Sequence, residues 1–122
     1  MQVIADPADF FARLGGLHDC TILAATFEVA GQRLVLSIDD LNWNFEGLPE
    51  YPGPRPAKLV FVNASSTSAF AAALVEAWVS EILVVPADGR FEATLFENSG
   101  KGKTAEWTFA SLLIDEPEPS HA

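Results

Sequence analysis

One cysteine excludes an internal disulfide, and a reducing cytoplasm is the expected compartment for such a chain. Basic side chains are also scarce: 7 Lys and Arg stand against 17 Asp and Glu, for a formal charge of −10. That shortage disfavours nucleic acid and anionic membrane surfaces, where Lys and Arg must neutralise phosphates. A cation, a basic protein partner, or simple solubility remains compatible with it. Histidine is nearly absent from the body of the chain, where His18 stands alone. No HxH, HExxH or CxxC spacing occurs, so no zinc motif can be read, and no cofactor is implied. Apolar runs are short. The longest, Ala69 to Val75, ends at Glu76 and cannot span a bilayer. The opening residues Met1-Gln2-Val3-Ile4-Ala5-Asp6 have neither the basic nor the apolar region of a targeting segment.

What is present is bulk apolar material. Hydrophobic residues make up 49% of 122 residues, with nine Phe and three Trp. This suits one domain with an aromatic-anchored core, and leaves no room for a second core. The domain is expected over 1–115, with 116–122 a flexible acidic, Pro-rich tail.

Asp6-Pro7-Ala8-Asp9 predicts a helix start, with Asp6 capping and Pro7 at the first helical position. Phe10, Phe11 and Leu14 form its apolar stripe, and Gly15-Gly16 ends it. A hairpin follows. Leu23, Ala25, Phe27 and Val29 alternate on one face, Ala30-Gly31-Gln32 turns, and Leu34, Leu36 and Ile38 alternate on the return. From Asp40 to Ala57 four prolines and two glycines exclude helix or central strand. Its aromatics argue for an ordered loop packed on the domain.

Lys58 to Asn63 is apolar enough for a strand buried on both faces. Ser65-Ser66 could cap a helix running through Trp78, with Phe70, Leu74, Ala77 and Trp78 at helical spacing. The competing reading is a loop followed by a strand, since Ser65-Ser66-Thr67-Ser68 is poor helix material. Strands are expected over Glu81–Val85, around Phe91–Leu95 and around Ala105–Phe109, with turns at Pro86-Ala87-Asp88-Gly89 and Asn98-Ser99-Gly100-Lys101-Gly102. Leu112-Leu113-Ile114 would continue the last ladder. The fold class is therefore α+β: a mostly antiparallel sheet of about six strands, with an N-terminal helix and one further helix packed on it. The expected core is Leu23, Phe27, Leu34, Leu36, Phe61, Phe70, Leu74, Trp78, Leu95, Trp107 and Phe109.

Two constellations carry candidate chemistry. His18-Asp19 and Asp39-Asp40 would lie side by side if the first two strands pair. They could then hold a hard cation, or let His18 act as a base oriented by a carboxylate. The plainer reading is a histidine bonded to backbone at a helix–strand junction. The second is Asn42-Trp43-Asn44-Phe45-Glu46, with Tyr51 nearby. Alternating amides and aromatics on a constrained loop can recognise a partner surface, or fold inward over a sheet edge. Gly100-Lys101-Gly102-Lys103-Thr104 lacks the GxxxxGK[ST] frame, and Ser65-Ser66 is no GxSxG elbow. Glu81, Glu92, Glu97 and Glu106 add acidic faces, ordinarily just solvated.

The run Leu17-His18-Asp19, followed by Ile22-Leu23 and a hairpin ending at Ile38, resembles small bacterial single-domain proteins with an N-terminal LHD motif. Some of these are grouped with immunity proteins of polymorphic toxin systems. The resemblance implies a small cytoplasmic bacterial protein without established enzymatic activity, and points towards toxin neutralisation. It assigns His18 and Asp19 no role beyond the motif. The reading that results is a protein-binding module for a basic partner, through Trp43, Asn44, Phe45, Glu46 and Tyr51, with His18 and Asp19 as further binding candidates. The alternatives are a small metal-dependent enzyme or ligand-binding protein using His18, Asp19 and Asp39, and a structural homodimer joined through an uncovered sheet edge.

Overall fold

The computed structural model of the chain describes residues 1–65, 68–98 and 103–117. The elements in order are β1 (Gln2–Ile4), α1 (Pro7–Arg13), β2 (Ile22–Glu28), β3 (Arg33–Ile38), β4 (Ala57–Val62), α2 (Ser68–Ala73), β5 (Val79–Ala87), β6 (Arg90–Glu97), β7 (Lys103–Phe109) and β8 (Ser111–Asp115). The class is α+β, as expected. The single sheet of about six strands is corrected: among the described residues eight strands form two antiparallel sheets, ordered β1-β8-β4-β3-β2 and β5-β6-β7. Among the described residues no helix is long and apolar enough to cross a membrane.

Helix α1 forms as its residues dictate. Asp6 Oδ1 accepts the Asp9 N–H at 3.1 Å, Pro7 fills the first turn, and Asp9 pairs with Arg13 one turn on. Phe10 and Phe11 go into the core. Gly15 and Gly16 follow at φ 65° and 68°. At Gly16 a Cβ would also run into the Glu81 side chain, so no other residue fits there without movement.

Strand β2 overturns part of the expected alternation. A bulge between Ile22 and Ala24 inserts an extra residue against β3. Ile22 is thereby fully buried and Leu23, expected in the core, is 58% exposed. Beyond the bulge Ala25 and Phe27 pack against the core as expected.

The second helix is real but short, and Trp78 is a second correction. The chain leaves α2 at Ala73 and turns through Glu76, at φ 67°. Trp78 then bridges to Thr21 in extended geometry, its side chain 56% exposed. Loop-then-strand thus describes this stretch beyond Ala73. Of the proposed cap Ser65-Ser66, the Ser65 hydroxyl instead accepts the Thr108 N–H at 3.0 Å, and Ser66 lies outside the described residues, as do Ser99–Gly102 of the last turn and 118–122 of the tail. The turn expected over Pro86-Ala87-Asp88-Gly89 contracts to Asp88-Gly89, with Pro86 opposite Phe91 inside the ladder.

Leu112-Leu113-Ile114 does not continue the β7 ladder. Ala110 alone separates β7 from β8, and its N–H donates to Val62 O at 2.9 Å. The chain changes sheets there, and β8 enters between β1 and β4. One apolar cluster joins the inward faces of both sheets with α1 and α2. Phe61 sits at its middle, stacked on Phe11 and edge-on to Trp107 and Phe109. Of the expected core residues, Leu34, Leu36, Phe61, Leu74, Leu95, Trp107 and Phe109 are buried, and Phe27 and Phe70 pack on the cluster.

Candidate functional site

Two adjacent carboxylates build the long loop after β3. Asp39 Oδ1 accepts the N–H groups of Thr21 and Asp40, each at 2.8 Å, and its Oδ2 accepts the Trp43 indole N–H at 2.9 Å. Asp39 therefore ties the end of β3 to the approach to β2 and turns Trp43 inward against the core. Asp40 is 2% exposed. Its Oδ1 accepts Asn42 N–H and Arg55 N–H at 2.8 Å each, and its Oδ2 accepts the Tyr51 hydroxyl at 2.5 Å. The bond to Asn42, two residues on, is an Asx turn. The bonds to Tyr51 and Arg55 close the loop across its base, where Leu41 N–H also donates to Arg55 O.

The hydrogen bond to Asp40, with some desolvation and the nearby carboxylates, pushes the Tyr51 phenol up to about 12. Tyr51 is then a protonated donor at neutral pH. Inside the closed base, short turns carry the chain through Trp43–Phe45 and on to Leu48. Asn44 lies over Gly15, where a Cβ would collide with its amide. Asn42 is buried and donates to Gly53 O.

The binding candidates thus divide. Trp43 is a packed, bonded side chain and Tyr51 a buttress. Asn44 and Phe45 are half-buried, and Glu46 is exposed. The tip beyond them, Glu46 to Glu50, lies in solvent, with Leu48 48% exposed between the two glutamates. Sequence reasoning placed Leu48 in the loop without singling it out. Its apolar side chain between two carboxylates was the available signal.

His18 and Asp19 lie elsewhere, on a seam between the sheets. His18 Nδ1 is 2.8 Å from Ser80 O, and a carbonyl only accepts, so Nδ1 carries the proton there. His18 Nε2 lies 3.4 Å from Asp19 Oδ2. Asp19 N–H donates to Val79 O, and Val79 N–H to Cys20 O. The Asn98 amide reaches both Val79 O and Asp19 Oδ1. These bonds hold Asp19 at φ 70°, and the Cys20 N–H bond to Leu17 O accompanies Leu17 at φ 58°, a region costly for residues with a Cβ. The LHD run is therefore the join between the start of β5 and the approach to β2.

Cys20 is buried beside this join. Desolvation, with Asp39, Asp40 and Asp19 nearby, pushes its thiol up. Among the described residues no three His, Cys, Asp or Glu side chains gather into a group that could hold a metal. His18, Asp19 and Asp39 are not brought together as a cation site.

The molecule belongs to the class of small α+β domains with two antiparallel sheets around one core. In comparison with known proteins, no family model, no curated protein and no solved structure matches the chain.

Proposed function

We propose that this chain is a non-enzymatic protein-binding module that inhibits or sequesters a basic partner, an immunity-type role, through the loop from Trp43 to Tyr51. The observation that supports this reading is the contrast within the loop. Its base is closed by the Asp39 and Asp40 networks, while its tip presents Leu48 between Glu46 and Glu50. A loop already held in shape loses little conformational freedom on binding. An exposed apolar side chain flanked in sequence by two glutamates suits a basic surface with an apolar notch, and the charge of −10 steers such a partner. The metal-dependent reading has no comparable support, because Asp39 spends its oxygens on three internal donors.

The test immobilises the folded chain and exposes it to cell extract at low salt. A basic protein should be retained, elute as salt rises, and be lost from Leu48→Asp and from Glu46→Lys combined with Glu50→Lys. Retention of no basic protein, or retention that these variants leave unchanged, would overturn the proposal.

A further inference from the structure

The side of the five-stranded sheet turned away from the core carries an apolar row of its own. Register aligns Val3 with Leu113, Leu113 with Val60, and Val60 with Val35 across β1, β8, β4 and β3. Val60 is only 5% exposed, yet among the described residues it is the one buried hydrophobic residue outside the core cluster, because it faces the other way. On the same face Asp115 stands opposite Lys58, and Glu28 opposite Arg33. Two acids balance two bases on a chain whose total is −10. Among the described residues Lys58 has no ion-pair partner. The close contact of a second copy on this face therefore opposes no excess of like charges, and Asp115 and Lys58 can complement each other across it.

We infer that the outer face of the β1-β8-β4-β3-β2 sheet is a homodimer interface, with a two-fold axis parallel to the strands and lying between β8 and β4. That axis exchanges β8 with β4 and β1 with β3. It sets Leu113 against Val60 of the second copy, Val3 against its Val35, and Asp115 against its Lys58, each pair occurring twice. Strands about 4.8 Å apart and same-face residues about 6.8 Å apart give an overlap of roughly 400 Å² per copy. Roughly 800 Å² in total falls below the roughly 1,200–2,000 Å² of stable specific interfaces, so the dimer is weak, transient and concentration-dependent. This interface is separate from the Trp43–Tyr51 loop and does not depend on its proposed role.

Sedimentation equilibrium over a concentration series tests it, with circular dichroism to confirm the fold of each variant. The parent chain should pass from monomer to dimer in the micromolar range. Lys58→Glu, at an exposed position, should raise the dissociation constant at least tenfold by opposing two carboxylates. Adding Asp115→Lys should restore it, since each exchanged pair is then complementary again. Leu113→Asp should abolish dimerisation. A parent chain monomeric to millimolar concentration, a dimer indifferent to Lys58→Glu and Leu113→Asp, or a double variant no tighter than Lys58→Glu would each overturn the inference.

Discussion

Replacing Asp40 with Ala should be among the most damaging single changes in the loop, although it removes no apolar surface. Three donors converge on this carboxylate: Asn42 N–H, Arg55 N–H and the Tyr51 hydroxyl. Hydrogen bonds to a charged group are worth about 1.5–3 kcal/mol each, and a buried donor left unpaired costs about 1–3 kcal/mol. Asn42 is buried, so its N–H has no ready access to water. Tyr51 and Arg55 are half-buried and recover part of their loss by hydration. The sum comes to about 3–5 kcal/mol once that recovery is allowed for. Removing one negative charge from an acidic chain acts the other way, but relief of long-range repulsion in salt is a fraction of a kcal/mol and does not reverse the sign. For a domain of this size each kcal/mol moves Tm by about 4 °C, so a fall of about 12–20 °C is expected. Asp40→Asn is the control. Its carbonyl oxygen can keep both backbone donors, and its NH₂ can donate to a phenol that turns to accept, so it should cost under about 2 kcal/mol. Urea and thermal unfolding followed by Trp fluorescence give both values. An Ala variant within about 1 kcal/mol of the parent, or Ala and Asn variants of equal stability, would refute the reading of Asp40 as the loop's hub.

Three further outcomes follow from the structure. Tyr51 is the only tyrosine, so tyrosinate absorbance reports it alone. The midpoint should lie at about 12 rather than near 10, and a midpoint near 10 would mean the bond to Asp40 is absent in solution. Because the folded value is raised, the stabilisation from this bond is fully present below about pH 10 and disappears as pH rises through about 12. Cys20, buried and with its thiol pushed up, should resist a thiol reagent at pH 8 in the native state and react promptly in denaturant; rapid native labelling counts against its burial. At the β2 bulge, Ile22→Ala should cost about 2–5 kcal/mol while Leu23→Thr stays within about 0.5 kcal/mol; equal costs would mean the bulge is not populated.

The α+β class, α1 with its cap, the β2–β3 hairpin and the inward residues of β3, β4, β6 and β7 were legible because each rests on local signals. Asp6 and Pro7 start the helix, Gly15-Gly16 stop it, and period-two apolar spacing sets the strand faces. The misses share a physical cause. A bulge shifts alternation by one residue, and nothing in Thr21-Ile22-Leu23-Ala24 separates a regular strand from a bulged one. What selects the bulge is pairing to β3 on one side and the bonds of Ile22 to Glu76 and Ala77 on the other. Trp78 fits a helical stripe equally well, but its backbone is claimed by Thr21 and Asn98. The passage of β8 into the other sheet is a long-range choice hidden behind one small residue, Ala110.

The loop was legible in composition and not in mechanism. Its prolines and glycines excluded regular structure, and its aromatics pointed to order, but the ordering agent is the pair Asp39-Asp40, which read from sequence as a metal or catalytic candidate. Both readings use the same property, a carboxylate oxygen able to accept several donors. Which one the fold realises depends on whether those donors are internal N–H and O–H groups or an external cation. Here Thr21, Asp40, Asn42, Arg55, Trp43 and Tyr51 supply six internal donors to the two side chains. A carboxylate so engaged has few acceptor sites left open, and a cation that displaced a buried donor would leave that donor unpaired, at a cost of about 1–3 kcal/mol. The clustering that looked like chemistry in the sequence is thus what holds the loop shut at its base, while Glu46, Leu48 and Glu50 at its tip face solvent.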